Sequence, residues 1–243
     1  MEQPGSGRPS APAGLASGAQ ARWTNEPGPL AVVLLAGGRG ADVPGTWSST
    51  LEWLVGRLAP AFPGLGFLEV RYRSKSWRTI DRCVRDATDA LDLAVERGAV
   101  SCALVGFSMG GAVAASAAGH QAVSTVVGLA PWLPDRLDLT PLRGRRFAVI
   151  HGSLDRSLPG VPGVRASSSR RGYERAQELG VAEGSYTVIR GGLHGAAVRG
   201  PWGLAPLPRA RRWAELLARE LELFSRRGAK PGGGEPPERP PAS

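Results

Sequence analysis

Ser101-Cys102-Ala103-Leu104-Val105-Gly106-Phe107-Ser108-Met109-Gly110-Gly111, followed by the small-residue run Ala112 to Ala118, decides how this chain is read. A strand-sized apolar run, a sharp turn and a helix with almost no side-chain bulk succeed one another there. The turn holds Ser108 between Gly106 and Gly110 in the pattern G-x-S-x-G. A serine on a strained strand-to-helix turn needs glycine neighbours, because a Cβ at those positions would strike the adjacent chain. The turn then offers both the hydroxyl and the backbone amide to a substrate. With 34 glycines in 243 residues, the bare pattern arises by chance about 0.4 times in such a chain, so its surroundings must carry the argument.

Six strand-like runs alternate with helical patterns along the chain: Leu30 to Ala36, Gly66 to Tyr72, Ser101 to Val105, Val123 to Leu129, Arg146 to His151 and Ser185 to Arg190. The alternation predicts an α/β fold, a doubly wound and mainly parallel sheet of about six strands with helices on both faces. Several runs are nearly continuous in apolar residues, as strands covered on both faces require. Ser49 and Glu52 make a capping box ahead of a helix whose apolar stripe is Leu51, Leu54, Val55 and Leu58. Ile80, Val84, Ala87, Leu91, Ala94 and Val95 form a second stripe, and Trp213, Leu216, Leu217, Leu221 and Phe224 a last one.

Two further residues follow Ser108 at strand ends. Asp155 closes the loop after Val149-Ile150-His151-Gly152, and His194 closes the loop after Val188-Ile189-Arg190-Gly191-Gly192. In an open parallel sheet all carboxyl ends of the strands lie along one edge, so three such residues can converge on one crevice. Ser108 as nucleophile, His194 as general base and then acid, and Asp155 as the carboxylate that orients the imidazole make a hydrolytic triad. Asp135 and Asp138, after the fourth strand, are the rival acids. Of the other histidines, His120 follows the small-residue helix and reads as a solvated helix-end residue, and His151 closes a strand and reads as a structural hydrogen-bonding residue.

With Ser, Asp and His in that order, the chain resembles the α/β-hydrolase superfamily, and its strand-Gly-x-x-Asp loop and late Gly-x-x-His are similar to the small dienelactone-hydrolase-type and carboxylesterase-type members. The resemblance spans about Leu30 to Arg226. It implies an oxyanion hole made by the amide of Met109 and a second amide from the turn Ala36-Gly37-Gly38-Arg39-Gly40, where Ala36 stands in place of the family's histidine. Gly38 occupies the donor position, with Arg39 as the alternative. The family's first two antiparallel strands have no clear counterpart beyond Ala21 to Thr24, which predicts a trimmed version of the fold. Ala130 to Arg145 is too short for a cap domain, and Trp47, Trp132 and Trp202 are expected to wall a shallow apolar acyl pocket. The function implied is hydrolysis of small carboxylic esters or thioesters through a serine acyl-enzyme, with no metal and no organic cofactor. The alternatives are amide or acyl transfer by the same triad, and a non-catalytic binding protein that keeps the fold.

The length fits one α/β domain, 30–226, flanked by Pro/Gly/Ala/Ser-rich tails, 1–29 and 227–243, both expected to be disordered. Neither a signal-peptide pattern nor an apolar run long enough to span a bilayer is visible, so a cytoplasmic protein with no membrane partner is expected. Cys83 and Cys102 make no metal spacing and read as buried free thiols. The net charge of +9 comes almost wholly from arginine, scattered along the chain with local spots at Arg143, Arg145 and Arg146 and at Arg209, Arg211 and Arg212. No aromatic interleaving or nucleic-acid-binding motif accompanies them, so the expected partner is a small-molecule ester and not a nucleic acid. Gly40 to Gly45 has the gap of a phosphate loop but is followed by Thr46-Trp47 instead of Lys-Ser/Thr, and Gly38-Arg39-Gly40 lacks the third glycine of a dinucleotide turn, so nucleotide binding is not expected.

Overall fold

Successive side chains of β3 (Leu30–Leu35) point to opposite faces and both faces are apolar, so the strand can only be stable inside a sheet covered on two sides. Val32 and Leu34 join one core layer, and Ala31, Val33 and Leu35 join the other. The computed structural model describes residues 8–156 and 163–228, and in it β3 lies parallel to β4 (Gly66–Arg71) on one side and β5 (Ser101–Phe107) on the other. The parallel sheet continues through β6 (Val123–Leu129), β7 (Arg146–Gly152) and β8 (Glu183–Ile189). These six strands are the six expected. Helices α1 (Ser49–Leu58) and α5 (Ala210–Gly228) cover one face, and α2 (Ile80–Glu96), α3 (Met109–Ala117) and α4 (Ala166–Glu178) cover the other. Trp213, Leu217, Leu221 and Phe224 of α5 are buried as their periodicity predicts, each contributing about 1.5–3 kcal/mol relative to exposure.

The sheet is longer than expected at one edge. β1 (Ala13–Gly14) and β2 (Gln20–Thr24) add two antiparallel strands, giving the order β1-β2-β4-β3-β5-β6-β7-β8. The segment therefore belongs to the sheet instead of forming part of a tail over 1–29, and the fold is not trimmed on this side. The composition hides these strands because the side chains β2 buries, Ala21 and Thr24, are small. Trp23 packs over Gly66, where a Cβ would stand 2.8 Å from the indole, and the side-chain amide of Asn25 reaches the carbonyls of Ala59 and Phe62, each at 3.0 Å. Of the two predicted tails, residues 1–7 and 229–243 lie outside the described residues, and Arg227 and Gly228 complete α5.

Three local readings shift. The cap of α1 is Ser48, whose hydroxyl accepts from the amide of Leu51, one residue ahead of the predicted capping box. Helix α4 is absent from the apolar pattern because it buries only Ser169, Gly172 and Ala176; Gly172 lets it lie on Leu133, which a Cβ would meet at 2.5 Å. A hairpin of β9 (Ala197–Gly200) and β10 (Gly203–Pro206) follows the His194 loop. Between β6 and β7 there is only a short 3-10 turn, Thr140–Leu142, in keeping with the expected lack of a cap domain. Among the described residues no helix is long and apolar enough to cross a membrane.

Candidate active site

Ser108 is the one residue between β5 and α3, and its backbone is left-handed, φ 56° and ψ −119°. A non-glycine residue adopts that region only where the surroundings over-determine it. Here they do: a Cβ on Gly106 would stand 2.1 Å from the carbonyl oxygen of Gly110, and one on Gly110 would stand 2.1 Å from that of Leu35. The turn is also tied by hydrogen bonds. Ser108 N donates to Leu129 O at 3.0 Å, and Ser108 O accepts from Gly111 N and Trp132 N, each at 2.9 Å.

The acid and base loops are joined to each other by close backbone contact. Leu154 N donates to Gly192 O at 2.9 Å and Gly191 N to Ser153 Oγ at 2.9 Å. A Cβ on Gly152 would come within 2.5 Å of the carbonyls of both Gly192 and Leu193, so only glycine permits this junction. On it His194 Nδ1 donates to Asp155 Oδ2 at 2.7 Å. The imidazole lies against the ring of Phe107, the residue before Ser108, with centroids 4.9 Å apart. The next residue, Gly195, has φ 98° and packs on Thr50 of α1, whose hydroxyl accepts from Ala196 N at 3.2 Å. Thr50 thus pins the loop that carries His194. Its partners lie about 147 positions away, and no local pattern announces it.

Asp155 has a second histidine. His151 is fully buried, and its Nε2 lies 3.0 Å from Asp155 Oδ2 and 2.8 Å from Val164 O. Both neighbours are acceptors, so Nε2 carries the proton and Nδ1 accepts from the Ser169 hydroxyl at 2.8 Å. Val164 N donates to the other carboxylate oxygen at 3.0 Å. Burial pushes the Asp155 carboxyl up, but the hydrogen bonds from His151 and His194 outweigh it and hold the group below its ordinary value. Its carboxylate therefore stays ionised at neutral pH. The rival acids are placed elsewhere: Asp138 is exposed and caps Thr140 N at 2.9 Å, and Asp135 is exposed opposite Arg171. His120 bonds Asp92 at 3.2 Å at the end of α3. Burial raises both thiols, Cys83 and Cys102, to about 11, which makes them poor nucleophiles.

The turn after β3 lies against the Ser108 turn. A Cβ on Gly37 would stand 3.3 Å from Ser108 Cβ, and one on Gly38 would collide with Met109 Sδ. Arg39 O accepts from Trp77 N at 3.1 Å, which fixes the far end of the turn. The amide of Met109 opens α3, where the helix dipole favours negative charge. Of the three tryptophans expected around the site, Trp132 adjoins Ser108 through its amide. It stacks on Trp77 at 5.8 Å between centroids, and Trp77 in turn packs beside Gly38. Trp77 escapes sequence reading because it sits in a short 3-10 turn with no periodicity. Trp47 lies instead on the guanidinium groups of Arg22 and Arg71, 4.1 and 5.4 Å from its ring centre, and Trp202 is fully exposed at the β9–β10 turn.

No family model matches the chain, and no curated protein matches its sequence. Among solved structures it is similar to an α/β-hydrolase enzyme from a Medee basin deep-sea metagenome library, with a TM-score of 0.62 and 19% identity over 88% of this chain and 97% of the other. It is similar to a dienelactone hydrolase from Anabaena variabilis, with a TM-score of 0.62 and 18% identity over 88% and 98%. An esterase from Pyrococcus furiosus gives a TM-score of 0.60 and 15% identity over 90% and 92%. The fold is that of the α/β hydrolases.

Proposed function

We propose that the chain is a serine hydrolase that cleaves small carboxylic esters or thioesters through an acyl-enzyme. The observation that carries this reading is a left-handed Ser108 on a strand-to-helix turn whose preceding residue, Phe107, lies against the ring of His194, itself paired with Asp155. Asp155 holds His194 Nδ1, which leaves Nε2 to take the proton of Ser108 as its Oγ attacks the acyl carbon. The oxyanion of the tetrahedral intermediate is received by the amide of Met109 and that of Gly38 or Arg39. When the intermediate collapses, the proton on His194 passes to the leaving alcohol or thiol. Water then attacks the acyl-serine with His194 again as base, and the acid and Ser108 are released. Through the cycle Asp155 stabilises the imidazolium without itself taking the proton.

Trp132 and Trp77 supply an apolar wall beside the oxyanion turn, and the short β6–β7 connection adds no cap over it among the described residues. Short acyl chains fit such an open site best. The esterases and the dienelactone hydrolase among the structural neighbours support a small-molecule substrate. Rapid mixing with p-nitrophenyl acetate tests the acyl-enzyme: one equivalent of p-nitrophenol per chain is released ahead of the steady state, and rates fall from acetyl and butyryl to long-chain esters. Turnover without a burst under slow deacylation, or a maximum at long chains with interfacial activation, contradicts the reading.

A further inference from the structure

One broad groove among the described residues does not open over Ser108. It opens on the other side of the acid and base loops, beside Ser153, Leu154 and Gly191, with a volume of about 1330 Å³. Five of its 16 lining residues are arginine (Arg57, Arg190, Arg209, Arg211 and Arg212), and its one acidic residue is Glu215. The whole chain has 28 arginines in 243 residues, so arginine-rich composition alone does not account for the concentration. Among the described residues only Arg212 is neutralised, by Glu215 at 2.9 Å. Arg57 stands over the ring of Trp53, and Arg190, Arg209 and Arg211 make no ion pair among the described residues.

Three of these arginines adjoin or occupy the first turn of α5, which contains no acidic residue. The partial charge at a helix's amino end is positive, so cations there oppose the arrangement that stabilises a helix. Like charges gathered in one concavity also repel one another, and an anion seated among them relieves both effects. Guanidinium groups bind phosphate oxygens in pairs of parallel hydrogen bonds, which makes an arginine cluster a phosphate-recognising surface. The rest of the lining has a different chemistry. Leu154 and Val188 are exposed in it, and Trp53 presents a half-buried ring. A groove with charged residues on one part and an aromatic and aliphatic wall on another matches a ligand with the same division.

We propose that this groove binds a small molecule carrying several phosphate groups on an apolar or aromatic body, of the nucleoside polyphosphate class. The phosphates meet Arg190, Arg209 and Arg211, and the body rests on Trp53, Leu154 and Val188. The site is separate from the proposed hydrolytic centre and does not depend on that activity, although the two share the loops that carry Asp155 and His194.

Titration calorimetry on the full chain at about 0.15 M salt, where long-range attraction between exposed charges is largely screened, tests this. ATP is expected to bind one to one, and tripolyphosphate at least tenfold more weakly because it lacks the body. The double variant Arg190→Ala/Arg211→Ala should weaken both at least tenfold while leaving the thermal midpoint and the p-nitrophenol burst unchanged, since both side chains are exposed. Arg85→Ala/Arg97→Ala removes the same charge from exposed positions on and just after α2, and should leave ATP affinity intact. Absence of ATP binding to the folded wild-type chain overturns the proposal, as does an equal loss in the Arg85/Arg97 variant. Equal affinity for ATP and tripolyphosphate contradicts the role of the apolar wall. A short oligonucleotide bound more tightly than ATP at these arginines replaces the small molecule with a nucleic acid.

Discussion

Asp155, in the loop after β7, and Glu69, inside β4 near the N-terminal edge, are both carboxylates withdrawn from solvent, and the protein treats them in opposite ways. Asp155 receives His194, His151 and the Val164 amide on its two oxygens, and these donors overcome burial to keep it ionised. Among the described residues Glu69 receives only Arg22, at 2.9 and 3.0 Å on one oxygen, and its other oxygen has no partner. Arg22 is moreover shared with Glu52 at 2.9 Å. Burial dominates there, and the Glu69 carboxyl is raised to about 7. The number of donors aimed at a buried carboxylate, and not burial itself, separates a group organised to hold a cation from one that is tolerated inside a strand.

The comparison breaks first if the two carboxylates respond alike to removal of charge. Asp155→Asn should lower kcat by up to about 10⁴-fold, because the amide favours the wrong tautomer of His194. Glu69→Gln and Asp138→Asn should leave kcat where it was, and steady-state kinetics on the three variants decides between them. A large loss in Asp138→Asn with none in Asp155→Asn would move the acid to the loop after β6.

A smaller effect is expected one residue further out. His151 touches Asp155 and not the substrate side of His194, so it is a positioning residue. Loss of a hydrogen bond to a charged group costs about 1.5–3 kcal/mol, so His151→Ala should lower kcat roughly ten- to a hundredfold with KM unchanged. Equal turnover in a folded His151→Ala variant would leave the second histidine with a packing role only.

The smallest effect is on stability. Folded Glu69 keeps its proton up to about pH 7, whereas the unfolded chain releases it near 4.5, so the folded state binds the extra proton between those values. Stability therefore falls as pH rises from 4.5 to 7 and levels beyond, by up to about 3 kcal/mol. Asp155 acts in a separate window, since its lowered carboxyl contributes stability that is lost only as pH falls below the ordinary carboxylate range. Glu69→Gln should flatten the dependence, read as denaturant midpoints at pH 5 and pH 8. An unchanged slope would mean that Arg22 holds Glu69 ionised.

The same contrast governs what could be read from sequence. The six parallel strands, the stripes of α1, α2 and α5 and the placement of Ser108, Asp155 and His194 at strand ends follow from local patterns of apolar and glycine residues. The edge strands β1 and β2, helix α4 and the β9–β10 hairpin do not, because the side chains they bury are small or few and carry almost no periodic signal. Supporting residues are hidden for another reason. Thr50 and Trp77 act through partners distant in the chain, and His151, though only four positions from Asp155, shows its partner only once the loop is folded back. Trp47 and Trp202 illustrate the converse error: an aromatic near a motif in sequence can be spent on an arginine stack or left in solvent.

The central claim is that the strained residue at the end of β5 is a nucleophile activated by the pair behind it. Treatment of the purified chain with a fluorophosphonate, followed by peptide mapping by mass spectrometry, tests that most directly. One phosphonyl adduct on Ser108 in the wild-type chain, absent in a folded Ser108→Ala variant and strongly slowed in Asp155→Asn, is the predicted result; no adduct on the folded wild-type chain, or one that survives in Ser108→Ala, would contradict it.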